Sequence, residues 1–235
     1  SSGFMIKRSL RHLVEESNFR ETIRALRFDL VKLAARRRSK KMLRNYERSA
    51  LPLQRLHFGC GSRIVEGWLN CDLRGSDVDV DLASGRLPFA DAQFEVCLSQ
   101  HVIEHLWIHS ELVPLLREIH RVLVDDGQLW LSCPDMHKCC HSYLVNRCDD
   151  LIAAKQLRWP EYTTQGLASS QFMNDIFHQQ GAHKNLFDFD LLSSLLQQCG
   201  FTNIQEVNEA VLLQRFPEFP RRGDDEQSIY VKALK

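Results

Sequence analysis

Two glycines and an acidic residue form the first group whose types and spacing suggest chemistry. Gly59 and Gly61 directly follow the apolar run that ends at Phe58, and Asp72 follows Gly61 by eleven residues. Glycines at the end of a strand let backbone N–H groups approach a ligand without a Cβ clash. A carboxylate at the end of the next strand can accept both hydroxyls of a ribose. This spacing predicts a nucleoside-containing cofactor, and it is too short for the dinucleotide fingerprint or for a full-length helix between the two strands.

Histidines supply the second reactive group. His101 and His105 are four residues apart, which would place both on one helical face, with Glu104 between them. A histidine is partly neutral near physiological pH, so either one, or His183 further along the chain, is a candidate general base. The same residues, completed by His178 or His183, are also candidate metal ligands. A structural helix start at Glu104 is the third interpretation, and the sequence leaves all three open.

The other residues that could bind a metal ion give a weaker indication of a site. His137 to His141 contain two histidines and two cysteines, but no second spaced pair of ligands accompanies them. The chain has eight cysteines, and most are single residues in apolar contexts. We therefore expect reduced thiols, and we assign no metal site from the sequence.

Short apolar runs that alternate with amphipathic segments predict the elements that position these residues. The pattern begins after Pro52 and is typical of β-α-β units in a mainly parallel sheet. Two amphipathic helices are predicted, over residues 112 to 124 and 188 to 199, the second ending at Gly200. The predicted strands are residues 53–58, 67–72, 94–99, 128–133, 204–208 and 228–233.

The first fifty residues differ in charge from the rest. They contain 14 Lys and Arg against 5 Asp and Glu, whereas residues 51 to 235 contain 16 against 25. Helical spacing of apolar residues predicts two helices in this basic arm, broken near Ser17. Its cations could meet anionic lipid, nucleic acid or the acidic body itself. Ser1 to Phe4 precede the first Met and are interpreted as a tag remnant.

The predicted organisation is an arm over residues 1–50 and one domain over residues 51–235. Within the domain, residues 136–187 fit the strand-helix alternation poorly and lie before the last predicted helix. We interpret them as a substrate lid over the strand ends, with an elongated connection as the alternative. The longest apolar runs are far shorter than the roughly 20 residues of a membrane span, and charges interrupt any signal-peptide core, so we expect a cytoplasmic protein.

Several motifs in order resemble class I S-adenosylmethionine-dependent methyltransferases. The segments that carry the resemblance are residues 56–61, 67–73, 81–82, 87–96, 101–106 and 116–123. The resemblance implies an α/β, Rossmann-like, doubly wound sheet with an antiparallel closing strand, here preceded by the basic helical arm. Ser62-Arg63 and Asp125-Asp126-Gly127 depart from the family's glycine-rich patterns.

The resemblance also implies roles for individual residues towards S-adenosylmethionine, with S-adenosylhomocysteine as product. The amino-acid end would meet Gly59, Cys60 and Gly61, and Asp72 would hold the ribose. The other implied contacts are Leu73, Asp81 and Leu82 for the adenine, and Gln100 and His101 for the methionyl portion.

The methyl acceptor is less well indicated. Resemblance to bacterial-type proteins with a Gly-x-His-Lys segment suggests a small-molecule or glycan hydroxyl in surface-polysaccharide synthesis, with the arm resting on the inner membrane surface. Two alternatives stay open: an inactive binding module of the same fold, and a metal-assisted RNA 2′-O-methyltransferase. The acidic body and the lack of a recognised RNA module argue against nucleic acid.

Overall fold

The computed structural model describes residues 17–47 and 54–235, and these residues form one seven-stranded sheet flanked by helices. The strand order is β3-β2-β1-β4-β5-β7-β6. Strands β1 to β5 pair in parallel, and β7 is antiparallel to both β5 and β6. This order confirms the predicted doubly wound, mainly parallel sheet with a reversed closing strand.

The strands are β1 Arg55–Phe58, β2 Leu69–Asp72, β3 Val78–Asp79, β4 Phe94–Gln100, β5 Leu123–Pro134, β6 Thr202–Val207 and β7 Ser228–Leu234. The α-helices are α1 Ser17–Glu47, α2 Val113–Val122, α3 Met136–Asn146, α4 Asp149–Arg158, α5 Gln171–His178, α6 Phe189–Gln198 and α7 Glu209–Arg215. Short 3₁₀ turns cover Leu82–Ser84, Ile103–His105 and Gln179–Gly181, and a π-helical turn, Ile108–Leu112, leads into α2.

Apolar residues cover both faces of the sheet. Along β5, Leu129 and Leu131 pack with α2 and α6 on one face, while Trp130 between them packs with α7 on the other. A central strand that is apolar on both faces is typical of a doubly wound sheet. The helix positions predicted to be buried are buried, as at Leu115 and Ile119.

Two local predictions need correction or extension, and a third is confirmed. The helix predicted to reach residue 124 ends at Val122, because the backbone becomes extended at Leu123 and β5 begins there. The two-residue strand β3 was not predicted, since Val78 and Asp79 are too short a run to show a period. Within the described residues no helix separates β1 from β2, as the short spacing predicted.

The basic arm is represented by α1, a helix of 31 residues that packs against β3. The first of the two predicted arm helices lies outside the described residues. Between residues 136 and 187, helices α3 to α5 enclose a small apolar cluster of their own that includes Cys139, Leu151 and Phe172. Searching the described residues finds no helix long and apolar enough to span a membrane.

Candidate active site

The glycine turn after β1 has the backbone that its sequence predicts. Gly59 and Gly61 have φ values of +70° and +56°, a left-handed backbone conformation that residues other than glycine rarely adopt. A Cβ at Gly59 would lie 2.2 Å from Val102 Cγ2, whereas one at Gly61 would meet nothing within 4 Å. Gly59 therefore brings the turn after β1 into contact with the turn after β4.

Asp72, at the end of β2, closes this turn. Its carboxylate accepts hydrogen bonds from the backbone N–H groups of Gly61, at 2.8 Å, and Leu73, at 2.5 Å. A carboxylate has about four acceptor positions, so two remain for other donors. Asp72 is half-buried, and it can therefore hold the turn and still accept the two hydroxyls of a ribose.

Two more aspartates lie at the neighbouring edge of the sheet, where α1 covers them. Arg36 Nε donates to Asp81 Oδ2 at 2.8 Å, and Arg38 Nε donates to Asp79 Oδ2 at 2.6 Å. Both carboxylates are buried, while both arginines are about half exposed. The other oxygen of each carboxylate, Oδ1, is buried with no hydrogen-bond partner among the described residues.

The remaining residues implied for the cofactor lie along the same carboxyl edge. Leu82 is buried at the start of its 3₁₀ turn, and the Leu73 carbonyl accepts a hydrogen bond from Arg38. Burial raises the pKa of the Cys60 thiol to about 12, so it stays protonated and is no nucleophile. Gln100 Nε2 is buried without a partner in the described part of the chain.

These groups fit S-adenosylmethionine. The unpartnered acceptor on Asp81 matches the amino group of an adenine, and the unpartnered donor on Gln100 matches a carboxylate. The half-buried Asp72 carboxylate between them matches a ribose.

His101 ends β4 in a constrained position. Its φ is +57°, and its Nε2 lies 2.9 Å from Asp224 Oδ2 and 3.1 Å from Ser228 Oγ. Burial alone would lower the pKa of His101, but Asp224 and Glu104 outweigh it, so the pKa is raised. The prediction that His101 and His105 share one helical face is wrong, because residue 101 is left-handed and only a 3₁₀ turn follows.

Glu104, His105 and His183 lie together below this turn. Their potential ligand atoms, one from each residue, are all within 4.8 Å of one another. Burial would raise the pKa of Glu104, yet the contacts with His101 and His105 outweigh it and lower the pKa, so the carboxylate is ionised. Burial lowers the pKa of His183, which keeps that ring neutral. The structure thus joins His183, and not His178, to the predicted group.

A cavity of about 1110 Å³ opens beside these histidines. Residues that the sequence did not single out contribute much of its charge: Arg158 from α4, and Arg222 and Asp224 from the segment before β7. Asp224 accepts hydrogen bonds from His101 and from the Tyr230 hydroxyl, at 2.5 Å, and its pKa is depressed by these partners although burial opposes them. The Arg-Arg-Gly-Asp-Asp run at residues 221–225 was the available signal, but a charge run alone usually marks a solvated loop.

Comparison with known proteins adds to this geometry. Residues 66–131 match a family model described as a methyltransferase domain. An uncharacterised protein of Escherichia coli K12, YafS, is 38% identical over 73 residues, which cover 31% of this chain and 29% of that protein. The chain thus matches less than a third of that relative's length.

Solved structures of low sequence identity also align. An S-adenosylmethionine-dependent methyltransferase from Mesorhizobium loti is 16% identical, covering 82% of this chain and 95% of its own, with a TM-score of 0.42. A methyltransferase of the same description from Archaeoglobus fulgidus is 15% identical, covering 87% and 94%, with a TM-score of 0.45.

The matched segment runs from the turn before β2 to the middle of β5 and so includes the ends of β2 and β4. Around it lie the glycine turn, the partly exposed Asp72 and the reversed strand β7. With these features the chain contains a region, residues 66–131, that is similar to a methyltransferase domain and lies within a doubly wound, Rossmann-like sheet.

Proposed function

We propose that the protein transfers a methyl group from S-adenosylmethionine to a hydroxyl group of a small-molecule or glycan acceptor. The observation that carries the proposal is the direct contact between the glycine turn at Gly59 and the turn at Val102, which leads to the histidines. This contact brings the expected cofactor site and the cavity to the same edge of the sheet. Alignment of reacting groups at such a junction can contribute about 7 to 11 kcal/mol to catalysis.

The cofactor contacts are proposed residue by residue. Asp72 holds the ribose, and the turn at Gly59, Cys60 and Gly61 lies against the amino-acid end. Gln100 donates to the methionyl carboxylate, with His101 beside it. Leu73, Asp81 and Leu82 meet the adenine, for which α1 must move away from Asp81, because Arg36 now covers that carboxylate. When bound, the cofactor supplies an activated methyl group on a sulfonium centre.

Proton removal is assigned to the pair His105 and His183. Each ring bonds a backbone carbonyl through Nδ1, so each Nε2 carries a lone pair. As the acceptor oxygen attacks the methyl carbon, its proton passes to one of these nitrogens. A positioned base of this kind typically contributes about 10²- to 10⁴-fold in rate. His101 instead orients Glu104 and is itself held by Asp224.

The lining of the cavity supports a polar, hydroxylated acceptor. Arginines, acids and the aromatic rings of Trp159 and Tyr162 share its surface. Paired donors and acceptors suit hydroxyl groups, and aromatic faces suit the apolar faces of a sugar ring. The volume exceeds that of most drug-sized pockets, which favours a glycan over a very small molecule. Helices α4 and α5, with the segment between them, form one wall, and we assign residues 136–187 as the acceptor lid.

We also propose that the arm rests on an anionic membrane at the cytoplasmic surface. Leu26, Leu30 and Leu33 are exposed on α1 at helical spacing, among exposed cations such as Arg27 and Arg37. Each Lys or Arg near anionic lipid contributes about 1 kcal/mol. Co-sedimentation should show binding to phosphatidylserine-containing vesicles that weakens with salt, and no binding to phosphatidylcholine vesicles. Absence of binding to both at low salt would contradict the proposal.

RNA is not proposed as the acceptor. Arg36 and Arg38, two cations of the arm, already pair with Asp81 and Asp79 of the same chain. An inactive binding module is likewise not proposed, because the glycine turn and Asp72 keep the geometry that a cofactor requires.

Calorimetric titration with S-adenosylmethionine and S-adenosylhomocysteine tests the proposed cofactor site. Wild-type protein should bind both, and Asp72→Ala should weaken binding about tenfold or more, because it removes charge-assisted hydrogen bonds to the ribose. Asp125→Ala is the matched control, since Asp125 lies in the first part of β5, is exposed and pairs with Lys235. Failure of the intact protein to bind either compound would refute the proposed activity.

A further inference from the structure

The buried carboxylate of Glu104 lacks the partners that a buried charge requires. Its side chain is 1% exposed, and neither oxygen has a hydrogen-bond partner among the residues that the structure describes. The nearest ring nitrogens are His101 Nδ1 at 3.4 Å and His183 Nε2 at 4.0 Å from Oε1. Since an ionised carboxylate is costly to bury unpaired, this arrangement calls for a cation.

Two of the neighbouring histidines are oriented to supply lone pairs. His105 Nδ1 lies 3.2 Å from the Ala182 carbonyl, and His183 Nδ1 lies 2.5 Å from the Ile176 carbonyl. A carbonyl oxygen only accepts, so each Nδ1 carries the hydrogen and each neutral ring keeps its lone pair on Nε2. A backbone carbonyl on the second ring nitrogen is the arrangement that orients metal-binding histidines.

The three side chains converge. One ligand atom each from Glu104, His105 and His183 lies within 4.8 Å of the other two. The rings of His105 and His183 are in edge contact, with centroids 4.8 Å apart. Four-coordinate zinc, with bonds of about 2.1 Å, would hold such atoms about 3.4 Å apart, so the ligand atoms would have to close by up to roughly 1.4 Å, and the Glu104 carboxylate has no hydrogen bond to oppose this movement.

Backbone hydrogen bonds join the segment that carries Glu104 to the segment that carries His183. The N–H groups of Lys184 and Asn185 both donate to the backbone carbonyl of Glu104, at 2.7 and 3.2 Å. The Asn185 amide donates in addition to the Leu106 carbonyl. These bonds place His183, which is almost eighty residues away in the sequence, beside Glu104 without using either carboxylate oxygen.

We propose that Glu104, His105 and His183 bind one divalent transition-metal ion, and that zinc fits this His₂Glu donor set best. His101 is not a ligand, because Asp224 and Ser228 occupy its Nε2. All three ligands line the large cavity, so a fourth coordination position faces the space assigned to the acceptor. Three protein ligands with one open position are typical of catalytic zinc.

The role of such an ion rests on the proposed methyl transfer. The base role of His105 and His183 applies to the metal-free protein. With an ion bound, both rings would be ligands; the ion would bind the acceptor oxygen and lower its pKa, so that the acceptor's proton would pass to water. Binding of the ion itself needs neither cofactor nor acceptor. A protein that binds zinc but not S-adenosylmethionine would keep this inference and lose the proposed function, and the reverse result would do the opposite.

The test uses full-length protein, freed of any affinity tag and stripped of metal with chelator, then titrated with Zn²⁺ by calorimetry and with Co²⁺ by absorbance. Wild type should bind one equivalent, with the visible Co²⁺ bands of a four- or five-coordinate site. Glu104→Gln and His183→Ala should weaken binding at least a hundredfold. Circular dichroism and urea unfolding of Glu104→Gln, which keeps the side-chain shape, establish that the variant is folded.

The matched control is the exposed pair His137 and His141, whose rings stack one turn apart on α3. The double variant His137→Ala/His141→Ala should bind Zn²⁺ and Co²⁺ as wild type does. The proposal would be overturned if this control no longer bound one metal ion per protein. It would also be overturned if folded Glu104→Gln bound the ion as tightly as wild type does. A wild-type protein that binds neither ion at micromolar concentration would overturn it too.

Discussion

Two sets of buried carboxylates lie along the carboxyl edge of the sheet, and they are neutralised in different ways. Asp79 and Asp81 each bind an arginine of α1 through one oxygen. Among the residues that the structure describes, the ionisable groups nearest to the Glu104 oxygens are the rings of His101 and His183, and neither makes a hydrogen bond to them. The first set is satisfied in part by the chain itself, while the second depends on a group from outside or on a proton.

The difference follows from what each set faces. The aspartates face α1, a helix with long, flexible cations that can be exchanged for solvent when the helix moves. Glu104 faces two rings that backbone carbonyls hold in place. A flexible pairing suits a site that must open for a cofactor, and a rigid donor set suits an ion that stays bound.

The largest expected effect comes from the residue that joins the two regions. Gly59→Ala places a Cβ 2.2 Å from Val102 and demands a left-handed φ from alanine. Together the clash and the strain should cost about 3 kcal/mol of unfolding free energy. Because Val102 lies two residues before Glu104, Zn²⁺ binding should weaken as well. Urea unfolding and calorimetry measure both effects.

Gly61→Ala is the matched control for that change. Alanine at residue 61 must also adopt a left-handed backbone, since φ there is +56°, but its Cβ would have no atom within 4 Å. We expect a loss of about 1 kcal/mol and no change in Zn²⁺ affinity. Equal losses in the two variants would mean that Val102 yields freely and that the two regions are not mechanically joined.

Sequence reasoning predicted the region around Asp72 well because its signals are local. The glycines, the short spacing to Asp72 and the apolar runs each specify backbone within a few residues, and the structure has the turn and the strands that they predict. The spacing of apolar residues over 112–124 likewise predicted the buried face of α2, although the predicted helix ended two residues beyond Val122.

The partners of the second region could not be predicted, because they are far apart in sequence. His183 lies beside Glu104 because the backbone N–H of Lys184 donates to the Glu104 carbonyl. Asp224 contacts His101 although 123 residues separate them in the sequence. The contact of Arg36 with Asp81 similarly depends on how α1 packs on β3. Neither periodicity nor composition carries such tertiary information, and the left-handed φ of His101, a non-glycine residue, gives no sequence signal.

The sharpest comparison of the two carboxylate sets removes one charge from each in metal-free protein. Asp81→Asn leaves Arg36 without its anion and should cost about 1 to 2 kcal/mol, less than a fully buried pair because Arg36 is half exposed. Glu104→Gln removes a buried charge that no hydrogen bond satisfies but that His101 and His105 stabilise, as the lowered pKa of Glu104 indicates, so we expect a smaller loss, below about 1 kcal/mol. Urea unfolding in chelator measures both variants. A large loss of stability in metal-free Glu104→Gln would show that the protonated ring of His101 already satisfies the carboxylate, and the two sets would then be alike in relying on the chain's own cations.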